Sequence, residues 1–344
     1  MANGSATTWP MDDGLMAAEN GGVRCLACSR RCLVREGDTG YCAAVGNQDG
    51  RLHSLAFGMV REATVTPIEN RPVFHYRPGT RVLSLGGLGC ELLHSPRQNR
   101  EVVFHDARGR GPTAPNLPPE RAVELALDRR CQGIACTFDE PSISPMYTLE
   151  VGRLAREAGL YMVFVTNGLM TPEALDLVGP ALDVYRVDLE SLDRAFYRRV
   201  ARTGRIDEIL PVVQRAQRLF GIHVEAVTNL MPGLNDSEEH LTCLAERIVT
   251  ELGPLTPWHL TSSVPHAHRR DVPPAAVATL TRARAIGLTQ GLRFVYTDLA
   301  GDASTHCPDC GALAVERPGP TVRMWAVRPD GRCAVCDASL GMVP

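Results

Sequence analysis

Several features that mark particular classes of protein are missing from this sequence. No apolar run reaches the roughly 18 residues that a membrane-spanning helix needs. The first residues lack the basic and then apolar layout of a secretory signal peptide. The formal net charge of -3 provides no overall positive field to attract a nucleic-acid backbone. We therefore expect a cytoplasmic protein with neither a membrane nor a nucleic acid as partner.

The composition is that of an ordinary globular protein, with 44% hydrophobic and 22% charged residues. A chain of 344 residues can bury a large core, and this length favours one large domain with small appendages. The opening stretch is rich in Gly, Ser, Asn and Asp, so we predict a flexible tail over residues 1–22.

The chain contains 12 cysteines, and eight of them form two terminal clusters. The clusters are Cys25, Cys28, Cys32 and Cys42 near the start, and Cys307, Cys310, Cys333 and Cys336 near the end. A Cys-x2-Cys turn brings two sulfurs onto one ion, and two such pairs complete a tetrahedron. The C-terminal spacing is that of a zinc ribbon, and the N-terminal spacing is less regular. We predict one or two structural zinc sites; disulfides in an oxidising compartment are the alternative, and cysteine pairing between the clusters stays open.

Between the clusters, short apolar runs alternate with amphipathic segments, which is the pattern of repeated βα units around a parallel sheet. The predicted strands are 82–87, 133–138, 161–167, 182–190, 223–230, 257–263 and 292–299. Six or seven such units predict an α/β fold, a partial (β/α)6 TIM-like barrel, with its pocket at the carboxyl ends of the strands. We expect a cysteine module over 23–80, the barrel over 81–300 and the zinc ribbon over 301–344.

Distinctive motifs follow these strands in order. They are GLGCELLHSPRQN, FDEP, VTNG, VDLE and TNLMPGLND, with TPIENRPVFHYRPGT ahead of the first strand. Together with both cysteine clusters, they make the chain resemble the radical S-adenosylmethionine (SAM) enzymes of the AmmeMemoRadiSam system, from about Cys25 to Cys336. The resemblance implies a radical-SAM-type barrel that holds SAM against a 4Fe-4S cluster, and possible protein partners from that system.

The loop after the first strand departs from the family pattern. Relatives carry Cys-x3-Cys-x2-Cys there, whereas this chain has Cys90, His94 and Arg97. Such a cluster needs three protein thiolates, and a guanidinium stays protonated and cannot ligate iron. We therefore expect no 4Fe-4S cluster, with Cys90 as a possible ligand of another metal. The alternative is that Cys131 or Cys136 completes the cluster.

The positions that the resemblance implies for SAM are better preserved. Glu140 stands where the family binds the methionine amine; Thr166, Asn167 and Gly168 match the family's TNG; and Asp188 matches the acidic residue near the ribose. A carboxylate is a suitable partner for an ammonium group. The plain alternative is that Glu140 only caps a helix and Asp188 only ends a strand.

Two classes of function follow. The first is a SAM-dependent transferase or lyase without radical chemistry, in which His94, Arg97 and His259 are the catalytic candidates. The second is a catalytically silent scaffold, which is compatible with Glu190 in VDLE, where relatives have lysine. An iron-sulfur enzyme with atypical cluster ligands is a third possibility.

Overall fold

The computed structural model describes residues 8–87, 115–201, 203, 205–262, 275–299, 303–319 and 321–344. The cluster loop with Cys90, His94 and Arg97 lies outside these residues. Within the described part of the chain, no helix is both long enough and apolar enough to cross a bilayer.

Two small antiparallel sheets form the N-terminal module. Their strands are β1 (Trp9–Pro10), β2 (Met16–Glu19), β3 (Gly22–Cys25), β4 (Leu33–Val34), β5 (Val45–Gln48) and β6 (Arg51–Ser54). The strand orders are β1-β6-β5 and β2-β3-β4. Residues 8–22 of the predicted tail include β1, β2 and a short turn. Asp12 caps a turn by accepting a hydrogen bond from the Gly14 amide, and that turn buries Leu15, which is 1% exposed.

An eight-stranded sheet forms the centre of the molecule. Its strands are β7 (Glu62–Pro67), β8 (Arg81–Gly86), β9 (Gly133–Cys136), β10 (Tyr161–Thr166), β11 (Val184–Asp188), β12 (His223–Leu230), β13 (Trp258–Ser262) and β14 (Val295–Thr297). Neighbours from β8 to β14 follow chain order and pair in parallel, while β7 pairs antiparallel with β8. The predicted α/β fold with its parallel sheet is therefore confirmed. Strand β7 was not predicted, although its sequence EATVTP alternates polar and apolar residues; it lies outside the βα repeat, and all six residues are half-buried.

Helices cover one face of the sheet. They are α1 (Pro119–Asp128), α2 (Pro145–Glu157), α3 (Pro172–Val178), α4 (Arg194–Ala201), α5 (Ile209–Phe220), α6 (Glu238–Leu252) and α7 (Val277–Thr289). Three of them, α1 to α3, begin with proline, whose fixed φ suits the first helical turn. Helix α6 is capped by Ser237. The nearby Asn235 and Asp236 side chains accept hydrogen bonds from the Met231 and Gly233 amides in the preceding turn.

The C-terminal module is a three-stranded sheet, β15 (Thr305–His306), β16 (Leu313–Glu316) and β17 (Arg323–Met324). Its core includes Phe294 and Tyr296 from the end of the barrel, so the module shares apolar packing with the central sheet. The segment that precedes β8 joins them, since His75 Nδ1 lies 2.9 Å from the Leu340 carbonyl oxygen.

Candidate functional site

The carboxyl ends of β9 and β10 are joined by a buried carboxylate. Glu140 Oε1 accepts hydrogen bonds from Thr166 Oγ1 at 2.6 Å and from the Ser142 amide at 3.1 Å, and Oε2 accepts one from the Asn167 amide at 2.8 Å. Glu140 thus caps the turn that begins at Pro141, as the plain alternative expected. It also fixes the Thr166–Asn167 backbone at the edge where a ligand of a parallel α/β sheet binds.

The loop after β10 requires glycine. Gly168 has a φ of +80°, and a Cβ there would lie 2.8 Å from Ile209 Cγ2 and 3.0 Å from Val187 Cγ2. The Thr166 hydroxyl accepts a hydrogen bond from the Gly168 amide at 3.1 Å, and Asn167 Oδ1 accepts one from the Leu169 amide at 3.0 Å. The TNG sequence therefore makes a loop that its own side chains close.

A second group of polar side chains occupies the ends of β11, β12 and β13. Asp188 pairs with Arg186. Glu190 accepts hydrogen bonds from the Asn229 amide at 2.8 Å and from Asn229 Nδ2 at 2.6 Å, and Thr261 Oγ1 donates to Asn229 Oδ1 at 2.7 Å. Burial, reinforced by the Asp188 charge, raises the pKa of Glu190 to about 8. Glu190 is thus a carboxyl group that keeps its proton at neutral pH.

Sequence reasoning noted Glu190 only as a departure from relatives. The available signal was its position directly after a strand, two residues beyond Asp188. Because side chains two apart along an extended chain share a face, the pair predicts two carboxyl groups close together. Two neighbouring carboxyl groups do not both ionise readily, which adds to the effect of burial on the pKa of Glu190.

His259, a catalytic candidate from the sequence, lies deeper in the barrel. It is 3% exposed, and its Nε2 lies 2.6 Å from Glu225 Oε2. Glu225 also accepts hydrogen bonds from the Phe74 and His75 amides, and His223 Nε2 lies 3.0 Å from its other oxygen. These contacts hold the pKa of Glu225 well below its ordinary value. Among the described residues, the side-chain hydrogen bond of His259 thus runs to Glu225 and not to the strand-end groups.

The two cysteines considered for completing a cluster have other positions. Cys131 precedes β9 and so lies at the opposite edge of the sheet from Glu140. Cys136 packs into the core beneath the helices and lines a cavity with Leu85, Asp139 and Tyr147. Burial raises the pKa of the Cys136 thiol to about 12, so this side chain is a neutral thiol.

The C-terminal cysteines form a compact group. The sulfurs of Cys307, Cys310, Cys333 and Cys336 all lie within 4.8 Å of one another. Cys307 and Cys336 are 3.5 Å apart, and Cys310 and Cys333 are 3.7 Å apart. Tetrahedral zinc with Zn–S bonds near 2.3 Å places its sulfurs about 3.8 Å apart. This group could hold such an ion, and its four members all come from the C-terminal cluster.

The N-terminal cysteines line a separate cavity. Cys25, Cys28, Cys32 and Cys42 surround it, together with Ile143 from the segment after Glu140. The turn that carries Cys28 also pairs with the loop after β10. The Ser29 amide donates to the Leu169 carbonyl at 2.8 Å, and the Thr171 amide donates to the Ala27 carbonyl at 3.4 Å. The N-terminal module thus contacts both segments that carry the predicted SAM residues.

Comparison with known proteins agrees with this architecture. The model of the radical SAM superfamily matches residues 98–244. The chain is 30% identical over 333 residues to the uncharacterized protein MJ0808 of Methanocaldococcus jannaschii, covering 93% of this chain and 96% of that protein. It is also 30% identical over 120 residues to the GTP 3',8-cyclase of Thermodesulfovibrio yellowstonii, but spans only 37% of that enzyme.

A solved structure shows the same fold. The radical SAM methyltransferase of Sphaerobacter thermophilus superposes with a TM-score of 0.50 at 16% identity, covering 65% of this chain and 70% of that chain. The family model thus gives the chain a radical SAM domain over residues 98–244, and the solved structure supports the fold. The chain belongs to the same family as the uncharacterized protein MJ0808, with which it shares nearly its whole length.

Proposed function

We propose that this protein binds SAM at the carboxyl edge of its sheet and uses it in polar rather than radical chemistry. One contrast supports the proposal. The strand-end groups Glu140, Thr166 and Gly168 form a closed, specific loop, whereas the cluster loop offers only one thiol, Cys90. The family implies SAM use, and the donor set argues against the cluster that would reduce SAM.

The residues of the cluster loop do not fit a 4Fe-4S group. Three thiolates are needed to leave one iron open, and the sequence supplies Cys90, His94 and Arg97. Cys131 lies at the opposite edge of the sheet, and the Cys136 side chain packs beneath the helices as a neutral thiol. We derive no reaction step through such a cluster. Arg97 instead suits a carboxylate, which a guanidinium binds with two parallel hydrogen bonds.

Bound SAM would supply an electrophilic sulfonium, so transfer or elimination needs orientation and charge placement without an electron. In this account the loop fixed by Glu140 orients the ligand, and Asp188 faces the ribose. Glu190 holds a proton on its carboxyl group at neutral pH, and can release it to, or take it from, a reacting atom. His94 is a second proton carrier, and His259 supports the barrel interior through Glu225.

We also propose that the chain is a divergent member of the AmmeMemoRadiSam system and acts with protein partners from that system.

A second candidate function is a catalytically silent scaffold. It is favoured by the hydrogen bonds that Glu140 already accepts from Ser142, Thr166 and Asn167, which give this carboxylate a purely structural use.

Calorimetric titration of SAM separates the two candidates. We expect wild-type protein to bind SAM, and Thr166→Val to weaken binding at least tenfold, because it removes the hydroxyl that links Glu140 to Gly168. Thr250→Val is the matched control: Thr250 is exposed on α6, so SAM affinity should be unchanged. Absence of binding heat from folded wild-type protein would favour the scaffold.

A further inference from the structure

Arg71 enters the barrel from the segment before β8, a motif to which the proposed function gives no role. Its Nε donates a hydrogen bond to Ser84 Oγ at 2.9 Å, and its guanidinium lies 4.4 Å from the centre of the Phe138 ring. Ser84 is two residues from the carboxyl end of β8, and Phe138 is two residues beyond β9. The guanidinium is therefore close to the edge at which the SAM-binding residues lie.

This guanidinium forms no ion pair among the described residues, since no carboxylate oxygen there comes within 4.0 Å of it. The charged side chains that act on Arg71 do not balance its positive charge. Arg186 adds positive charge and is itself paired with Asp188, and Glu62 acts only at longer range. Burial and the Arg186 charge lower the pKa of Arg71 to about 10. A half-buried cation without a counter-charge is costly to keep.

A second arginine shows what a structural role looks like in this fold. Arg317 also lies over a phenylalanine, 4.3 Å from the ring centre of Phe74. Its terminal nitrogens donate to the Phe74 carbonyl at 2.6 Å, the Ala303 carbonyl at 2.9 Å and Thr305 Oγ1 at 2.9 Å. For the Arg71 side chain, the only hydrogen bond within the described chain comes from Nε, so its two terminal nitrogens keep their donors for another group.

Phe138, whose ring lies beneath the Arg71 guanidinium, has a strained backbone. Phe138 has a φ of +70°, in the left-handed region that bulky residues avoid. Its side chain packs so closely on Gly86 that a Cβ at Gly86 would lie 2.9 Å from Phe138 Cβ. Strain of this kind persists where the surroundings enforce it, and it clusters at ligand sites. Here it holds a flat ring under the guanidinium and fixes the direction of the free donors.

We infer that Arg71 binds an oxyanion, the carboxylate or phosphate of a small co-substrate that enters the barrel beside SAM. The inference rests on the proposed function, because it names the substrate class of the same pocket. A planar guanidinium with two free terminal nitrogens matches both anions through paired hydrogen bonds.

Thermal unfolding in matched ionic strength tests the inference with Arg71→Met. The probes are sodium phosphate and sodium acetate against sodium chloride. Either oxyanion should raise the Tm of the wild-type protein by at least 2 °C, because a ligand that binds only the native state stabilises it. In Arg71→Met this increase should vanish, and in chloride the variant should be as stable as wild type or more so, because an unpaired buried cation is gone.

Arg317→Met is the matched control, and it should lower the Tm in all three salts, because it leaves two backbone carbonyls without donors. If Arg71→Met lowers the Tm as Arg317→Met does, and wild type shows no preference for phosphate or acetate, Arg71 is structural and the inference is wrong.

SAM titration of Arg71→Met should give an affinity within twofold of wild type. A tenfold loss would assign the guanidinium to SAM itself and overturn the co-substrate. The anion comparison needs no SAM, so it remains informative if the proposed function fails.

Discussion

Two carboxyl groups at the end of β11 differ in their surroundings although they are two residues apart. Asp188 has the guanidinium of Arg186 as partner, whereas the Glu190 side chain accepts, among the described residues, only the two N–H groups of Asn229. Burial therefore favours the protonated form of Glu190. A carboxyl group of this kind suits acid-base chemistry near neutral pH.

The raised pKa of Glu190 predicts a pH effect on stability. The folded state binds the proton up to about pH 8, while the unfolded carboxyl group loses it near its ordinary value. The folded state thus binds more protons between these limits, and stability falls as the pH rises through them. We expect the Tm of wild-type protein to fall more steeply than that of Glu190→Gln between pH 5 and 8. Parallel Tm curves for the two proteins would contradict the raised pKa.

An alanine at Gly168 should be destabilising for two reasons, backbone strain and a steric contact. A comparison with Gly159, where only the strain applies, separates the two. Gly168→Ala forces a side chain to a φ of +80° and against Ile209, so it should cost about 2–4 kcal/mol in the free energy of unfolding. Gly159 has a φ of +74° and nothing within 4 Å of an added Cβ, so Gly159→Ala should cost only about 1 kcal/mol. Urea unfolding measures both, and equal costs would show that the contact with Ile209 is unimportant.

At the level of elements, the cysteine turn of the N-terminal module is paired with the loop after β10. Two backbone hydrogen bonds join them, and Arg31 also bridges to Glu173 on α3 at 2.8 Å and 2.9 Å. A metal that holds Cys25, Cys28, Cys32 and Cys42 would therefore order the SAM loop as well. This N-terminal metal site remains a prediction from the sequence.

Loss of that site should loosen the loop. In a Cys32→Ser, Cys42→Ser double variant we expect one metal centre fewer per chain and faster hydrogen exchange at the Ser29 and Thr171 amides, which donate across the junction. The matched control is Cys310→Ser with Cys336→Ser, both exposed in the other cluster, which should leave those two amides protected. Unchanged exchange in the N-terminal variant would show that the turn holds the loop without a metal.

The sequence predicts the seven parallel strands because buried parallel strands are continuous apolar runs, such as the run at 161–166. It does not predict β7, whose residues are half-buried. Nor does it predict the structure of residues 8–22, in which Met11 and Leu15 are the buried apolar side chains. Site residues directly after strands are predictable from position alone. Arg71 and Glu225 are not, because their roles depend on a segment that folds into the barrel from outside the βα repeat.

At the scale of the whole molecule, the C-terminal module supports the barrel interior. Arg317 donates to the Phe74 carbonyl, and His75 bridges Leu340 and the Tyr296 hydroxyl. Cys307 and Cys333 share a core with Phe294 and Tyr296, so a metal bound by the C-terminal cysteines would stabilise more than its own ribbon.

If the C-terminal cysteines hold a metal, its loss should destabilise the full chain. We expect Cys333→Ser, which changes a fully buried ligand, to lower the Tm of the entire protein in one transition followed by circular dichroism. Exposed Cys243→Ser on α6 is the control and should leave the Tm unchanged. A separate early transition of small amplitude would show instead that the ribbon unfolds on its own.

The central claim is that this protein, with its radical SAM domain, binds SAM without a 4Fe-4S cluster. The most direct test is anaerobic purification and iron-sulfide reconstitution of the full chain, followed by iron and sulfide analysis and SAM titration. A preparation with the four N-terminal cysteines replaced by serine assigns any iron bound there. The account predicts SAM binding with no iron attributable to the loop of Cys90, His94 and Arg97, and no deoxyadenosine after addition of reductant. About four irons per chain in the serine-replaced protein, with cleavage of SAM to deoxyadenosine, would contradict it.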